Sequence, residues 1–321
     1  LDRSHAIFTR GLTKLYRHPW TFRTRRGLED LDLDIRRGEV FGYLGPNGAG
    51  KTTTLKLLAG LHRPTRGGAW ILGESIETDS SRSRLGFLPE RPYFYEYLSG
   101  PEYLEFAGRL SGLSGREAAD RGRRWLGRVG LGDKPGLRLG KYSKGMLQRL
   151  GLAAALVHEP EVLVLDEPMS GLDPFGRREV RDVILEQRAR GTTVLFSSHI
   201  LPDVEMICDR VGILIDGRLV RVASVGEIVS GGQHQIEIRC TGVKVVAVPE
   251  RWRDVLTRNE HAYETVFVLE EESLTSEVLG WLLAQGITVK AVTPNRQGLE
   301  ELFMDAAAQA PPAAAGQWRS A

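Results

Sequence analysis

The sequence predicts an α/β domain built on a parallel sheet, with an all-helical lobe inserted into it and a small α+β domain after it. Three observations predict this. Residues 39–44, 162–165 and 192–196 are short, nearly continuous apolar runs, the pattern of strands covered on both faces. Segments with helical spacing separate them, as in 51–61, with apolar residues at Leu55, Leu57, Leu58 and Leu61. Across 91–158 strand signals vanish, and helices are predicted over 101–110, 116–129 and 143–157.

Further elements follow in chain order. Residues 210–216 and 218–223 flank Asp216-Gly217, a hairpin-turn dipeptide. The first domain is placed at 1–228. Its seam is Ser230-Gly231-Gly232, read as a flexible turn-forming cluster. The second domain, 233–305, is predicted to run strand (234–240), strand (243–248), strand (263–269), helix (274–284), strand (287–292) and helix (299–305). The Ala/Pro/Gln-rich stretch 306–321 is expected to be a disordered tail whose first residues extend the helix.

Bulk properties exclude several function classes. The 321 residues are 41% hydrophobic, enough for a sizeable core, and carry a net charge of only +2. So weak a charge leaves no footprint for nucleic acid, and none is expected as a partner. Cys208 and Cys240 form no metal spacing and read as inert thiols. The longest apolar run, 150–157, is far short of the 18 or so residues a membrane span needs. The first residues lack the apolar run of a signal peptide, so a cytoplasmic chain is expected.

Gly45-Pro46-Asn47-Gly48-Ala49-Gly50-Lys51-Thr52, followed by Thr53, lies after a predicted strand and opens a predicted helix. Glycines there let successive N–H groups turn toward phosphate oxygens, and the helix start adds unpaired donors. Lys51 supplies a charge for the β and γ phosphates, and Thr52 a hydroxyl for Mg²⁺. Asp166 ends the apolar strand 163–165 and would hold Mg²⁺ through water. Glu167 follows as the natural general base for an attacking water.

Several phosphate-binding classes share these two motifs. The guanine-reading Asn-Lys-x-Asp tetrad is absent. Present instead is Tyr142-Ser143-Lys144-Gly145-Met146, with Gln148-Arg149, opening a helix shortly before Asp166. This resembles the signature of the ABC-type ATPases, Leu-Ser-Gly-Gly-Gln in its common form. Lys144 and Met146 depart from that form. Ser170-Gly171-Leu172-Asp173 resembles the family's D-loop, and Ser198-His199 its switch histidine. Together the motifs span about residues 6–225, as in the ATP-binding subunits of ABC transporters, with the P-loop NTPase fold.

The resemblance implies more. Tyr16 would stack on adenine, with Trp20 and Phe22 as alternatives, and the arginine-rich residues 17–26 read as an enlarged, solvated hairpin loop. ATP and Mg²⁺ are the implied ligands. Ser143, Lys144, Gly145 and Asp173 of one copy would close over the γ-phosphate held by another, so a homodimer, or a pair with a homologous ATPase subunit, is implied. His199 would contact the γ-phosphate. Where the family usually has Gln, Leu85-Gly86-Phe87-Leu88-Pro89-Glu90 places Glu90, a third carboxylate expected to ligate the metal directly or through water.

The aromatic run Tyr93-Phe94-Tyr95-Glu96-Tyr97 admits two readings, packing within the lobe or gripping a helix of a membrane-embedded partner. Separate integral-membrane permease subunits are the implied partners, with the chain peripheral on the inner face of the cell membrane. The ending Gly298-Leu299-Glu300-Glu301-Leu302-Phe303 resembles bacterial export-type ATPases, which points to export. The competing class, a soluble ABC ATPase acting on ribosomes or DNA, usually carries two nucleotide units or a long coiled coil, and neither is present here.

Overall fold

The computed structural model describes residues 4–17, 20, 24–231, 235–241, 247–261, 263–295 and 299–309. The chain opens with β1 (His5–Arg17) and β2 (Thr24–Arg36), a long antiparallel hairpin, and enters β3 (Val40–Leu44). Helix α1 (Lys51–Leu58) follows at once. Then come β4 (Arg66–Ile71), β5 (Glu74–Ser75), α2 (Asp79–Ser83) and β6 (Leu85–Leu88). Helices α3 (Gly100–Leu110), α4 (Gly115–Arg128) and α5 (Lys144–Leu156) make the predicted helical lobe. The chain returns through β7 (Val162–Asp166), α6 (Pro174–Ala189), β8 (Thr193–Ser198), α7 (Leu201–Ile207), β9 (Arg210–Ile215) and β10 (Arg218–Ser224).

Two sheets result. One has the order β10-β9-β3-β8-β7-β6, with β9, β3, β8, β7 and β6 running parallel. The other, β2-β1-β4-β5, is antiparallel and was not anticipated from the apolar runs. Helix α1 packs between them, and its Leu55, Leu57 and Leu58 share one core with Ile7, Leu31 and Ile35 of the antiparallel sheet and Tyr43 and Val164 of the parallel one. Full burial of such side chains contributes roughly 1.5–3 kcal/mol each. β3, β7 and β8 are buried at every position, which is why their sequences show no alternation.

The register aligns Leu44 with Ser198, Asp166 with Ser197, and Leu88 with Leu165. The carboxyl ends of four parallel strands therefore come level, the edge at which open α/β sheets bind ligands. Asp216 and Gly217 take positive φ (49° and 79°), forming the predicted tight turn between β9 and β10.

The chain divides into two compact units, the second being Ser224–Asp305. It contains α8 (Val225–Gly231), β11 (Gln235–Thr241), β12 (Leu256–Glu260), β13 (Thr265–Leu269), α9 (Thr275–Ala284), β14 (Thr288–Asn295) and most of α10 (Leu299–Gln309). Its antiparallel sheet has the order β12-β13-β11-β14 around Trp252, Phe267, Val278 and Leu282. Two expectations change here. Ser230 and Gly231 are helical, in α8, rather than in a turn. The fourth strand of the sheet is β12, whose mostly exposed side chains gave no signal. The strand expected over 243–248 lies largely outside the described residues, as does the tail beyond residue 309.

Candidate functional site

One cleft of about 760 Å³ sits at the aligned strand ends. Tyr16, Arg25, Arg26 and Gly27 line one end, residues 46–53 the floor, and Glu90, Glu167, Ser170 and His199 the other end. The floor follows from backbone constraints. Gly48 and Gly50 have φ of 83° and 107°, a region costly for residues with a Cβ. A Cβ on Gly50 would also lie 2.4 Å from the Gly27 carbonyl oxygen. The loop is anchored from outside by the Gly217 N–H, which donates to the Ala49 carbonyl at 2.8 Å. Helix α1 starts immediately after, so its first N–H groups open into the cleft.

Lys51 is buried and folds back on the loop. Its ammonium donates to the Gly45 carbonyl at 2.5 Å and lies 3.6 Å from Glu167 Oε1. The other Glu167 oxygen, Oε2, is 2.7 Å from His199 Nδ1. Glu167 thus stands between the lysine and the histidine. Its φ of 50° is unusual for a residue with a side chain, and such strain persists only where surroundings fix it. Ser197 is part of what fixes it: its hydroxyl accepts from the Glu167 N–H at 2.9 Å and donates to Asp166 Oδ1 at 2.7 Å. Gln148 adds a bond from α5 to the Pro168 carbonyl at 3.2 Å. Sequence reasoning passed over Ser197; a serine at the buried carboxyl end of β8, level with Asp166, was the available signal.

The Asp166 carboxyl is buried, and burial pushes its pKa up. Hydrogen bonds from the Ser197 and Thr52 hydroxyls pull it back, and the charges of Glu90 and Glu167 raise it further. Its Oδ2 is buried with no hydrogen-bond partner. An orphaned anionic oxygen beside a hydroxyl, with a further carboxylate near, fits a hard divalent cation. Among the described residues no three His, Cys, Asp or Glu side chains form a metal cage alone. The donor set fits an ion completed by water and phosphate oxygens.

The remaining predicted residues lie elsewhere. Ser143 caps α5, accepting from the Met146 N–H at 3.2 Å, and Asp173 caps α6, accepting from the Gly176 N–H at 2.8 Å. Lys144 runs over Gly171, which a Cβ would bring within 2.6 Å of its ammonium. None of Ser143, Lys144, Gly145 and Asp173 lines the cleft. Tyr16 does line it, with its hydroxyl 3.3 Å from Thr53 Oγ1. Trp20 is exposed and does not line the cleft, and Phe22 lies outside the described residues. The aromatic run of the lobe divides: Phe94 is buried against Tyr103 (4.9 Å, edge on), while Tyr93, Tyr95 and Tyr97 are exposed, with Tyr95 5.6 Å from the exposed Phe106.

Comparison with known proteins agrees with this geometry. The family described as "ABC transporter" matches residues 28–170. The uncharacterized ABC transporter ATP-binding protein all4389 of Nostoc sp. is 39% identical over 94% of this chain and 89% of its own length. The bacitracin transport ATP-binding protein BcrA of Bacillus licheniformis is 33% identical over 94% and 97%. The daunorubicin/doxorubicin resistance ATP-binding protein DrrA of Streptomyces peucetius is 37% identical over 77% and 74%. A solved structure of the ATP-binding subunit of an ABC transporter superposes with a TM-score of 0.63 at 32% identity, covering 70% of this chain and 91% of that one. With a phosphate-type loop and Glu167 in one cleft, Asp166 beside them and a helical lobe inserted in the fold, the chain belongs to the ABC transporter ATP-binding proteins, the ATP-hydrolysing subunits of these transporters.

Proposed function

We propose that the chain drives export through separate membrane subunits, by binding ATP between two copies of itself and hydrolysing it. One observation carries the shared site: the cleft collects Lys51, Thr52, Glu167, Glu90 and His199, while Ser143, Lys144, Gly145 and Asp173 do not line it. A triphosphate on the loop leaves its γ end facing outward, for a second copy's α5 start to cover. Ser143 and Gly145 would offer N–H groups there, and Lys144 a charge.

Each residue of the cleft then has a task. The Lys51 ammonium moves from the Gly45 carbonyl to the phosphates. Tyr16 supports the adenine. Glu167 polarises the attacking water, and the His199 imidazole orients that carboxylate and reaches the γ-phosphate. Thr52, Asp166 and Glu90 are the residues that would hold Mg²⁺, which when bound would neutralise charge on the phosphates. Export is supported by the names of relatives such as DrrA, a resistance protein. A cytoplasmic position on the membrane's inner face follows from that role, and no described helix is long and apolar enough to cross a membrane. The exposed Tyr93, Tyr95, Tyr97 and Phe106 patch is the surface offered to a membrane subunit.

The test is Glu167→Gln. With ATP and Mg²⁺ it is expected to accumulate as a stable dimer in light scattering, with hydrolysis reduced at least a hundredfold. A variant that stays monomeric with bound ATP would count against the shared site.

A further inference from the structure

The β1–β2 hairpin carries more than the aromatic ring. Arg25 on β2 is the register partner of Tyr16 on β1, so both side chains leave the same face of the ladder as neighbours. Both line the cleft. Arg25 is exposed, and among the described residues it makes no ion pair. Its neighbour Arg26 differs, holding Glu29 at 2.7 Å.

The ring beside Arg25 is held from several sides. A Cβ on Gly27 would lie 2.4 Å from Tyr16 Cε2, so only glycine lets the ring settle there. Thr53 meets the hydroxyl, and His62 meets the ring edge-on at 6.0 Å. Lys14 lies over the ring 5.5 Å from its centre, its ammonium donating to the Arg63 carbonyl at 2.7 Å. Tyr16 is therefore a fixed platform, and Arg25 is an uncommitted planar cation within a side chain's reach of anything stacked on it.

We propose that Arg25 is a second nucleobase-holding residue, laying its guanidinium against the base that stacks on Tyr16. This rests on the cleft being the nucleotide site. Guanidinium planes stack on aromatic faces and are weakly hydrated, so the contact costs little desolvation. Lysine, a hydrated point charge, is a poor substitute.

The experiment measures dissociation constants of the full chain for ADP and for tripolyphosphate, a probe with no base. Arg25→Ala is expected to weaken ADP about threefold to tenfold and to leave tripolyphosphate unchanged. Arg25→Lys is expected to weaken ADP nearly as much. Unchanged ADP binding in Arg25→Ala would overturn the proposal. So would equal weakening of both probes, or full recovery in Arg25→Lys, since either marks a long-range charge. If the wild-type chain bound neither probe, the nucleotide reading of the cleft itself would fall, a result distinct from these.

Discussion

At the residue scale, the chemistry depends on how few groups hold the two adjacent carboxylates apart. Ser197 serves both, through the Asp166 side chain and the Glu167 backbone. Removing it leaves a buried carboxylate with less support and frees a strained backbone. Hydrogen bonds to charged groups are worth on the order of 2 kcal/mol. Ser197→Ala is therefore expected to lower the steady-state ATPase rate at least tenfold, with Ser197→Thr recovering part of it. Unaltered turnover in Ser197→Ala would mean that the hydroxyl is a passenger. The loop, Asp166 and Glu167 were legible in sequence because their spacing is local. Ser197 and Arg25 were not, because each acquires meaning only from its strand partner, 31 residues from Asp166 in one case and nine from Tyr16 in the other.

At the element scale, the seat of β6 against the end of α5 offers a pH-dependent test. His158 follows α5, and its Nε2–H donates to the Leu85 carbonyl at 3.2 Å, while its Nδ1 is buried with no partner. Burial lowers its pKa from the ordinary 6.5, and Arg121 lowers it further, against the raising effect of the Leu85 bond. As pH falls below about 6.5 the unfolded chain takes up a proton before the folded one does. Stability is thus kept above that pH and lost below it, toward the depressed folded value. His158→Gln is expected to flatten this acid limb in urea unfolding compared between about pH 7.5 and pH 5.5. Parallel curves for the two proteins would contradict it. The same region shows why some elements were readable and others not. β7 and β8 lie inside both faces of a sheet and spell continuous apolar runs. β1 and β2 carry register shifts, one between Thr9 and Leu12, and Asp30 at positive φ interrupts the alternation of Leu28, Leu31, Leu33 and Ile35. A period of two broken in this way leaves no run to recognise. β12 exposes most of its side chains, as edge strands do, and Ser230-Gly231 became helical because local turn preference is weak beside its surroundings.

At the scale of the whole molecule, the proposed division of labour between two copies makes a prediction of its own. Lys51→Ala loses its own cleft and Ser143→Ala loses its service to a neighbour's cleft. A mixture of the two variants is expected to regain activity, since one pairing in which both lesions fall on the same composite site leaves its twin intact. Measured at equal ratio, restored turnover well above either variant alone supports the arrangement; none would leave it without support. A different consequence follows from the embrace of Lys51 by the Gly45 carbonyl and Glu167. The lysine that would meet a phosphate is within 3.6 Å of the cleft's own carboxylate, so the two compete for it. An arriving nucleotide must evict a tenant, and departing product is helped out by the same tenant's return. The carboxylate proposed to activate water would then also set the pace at which the motor resets.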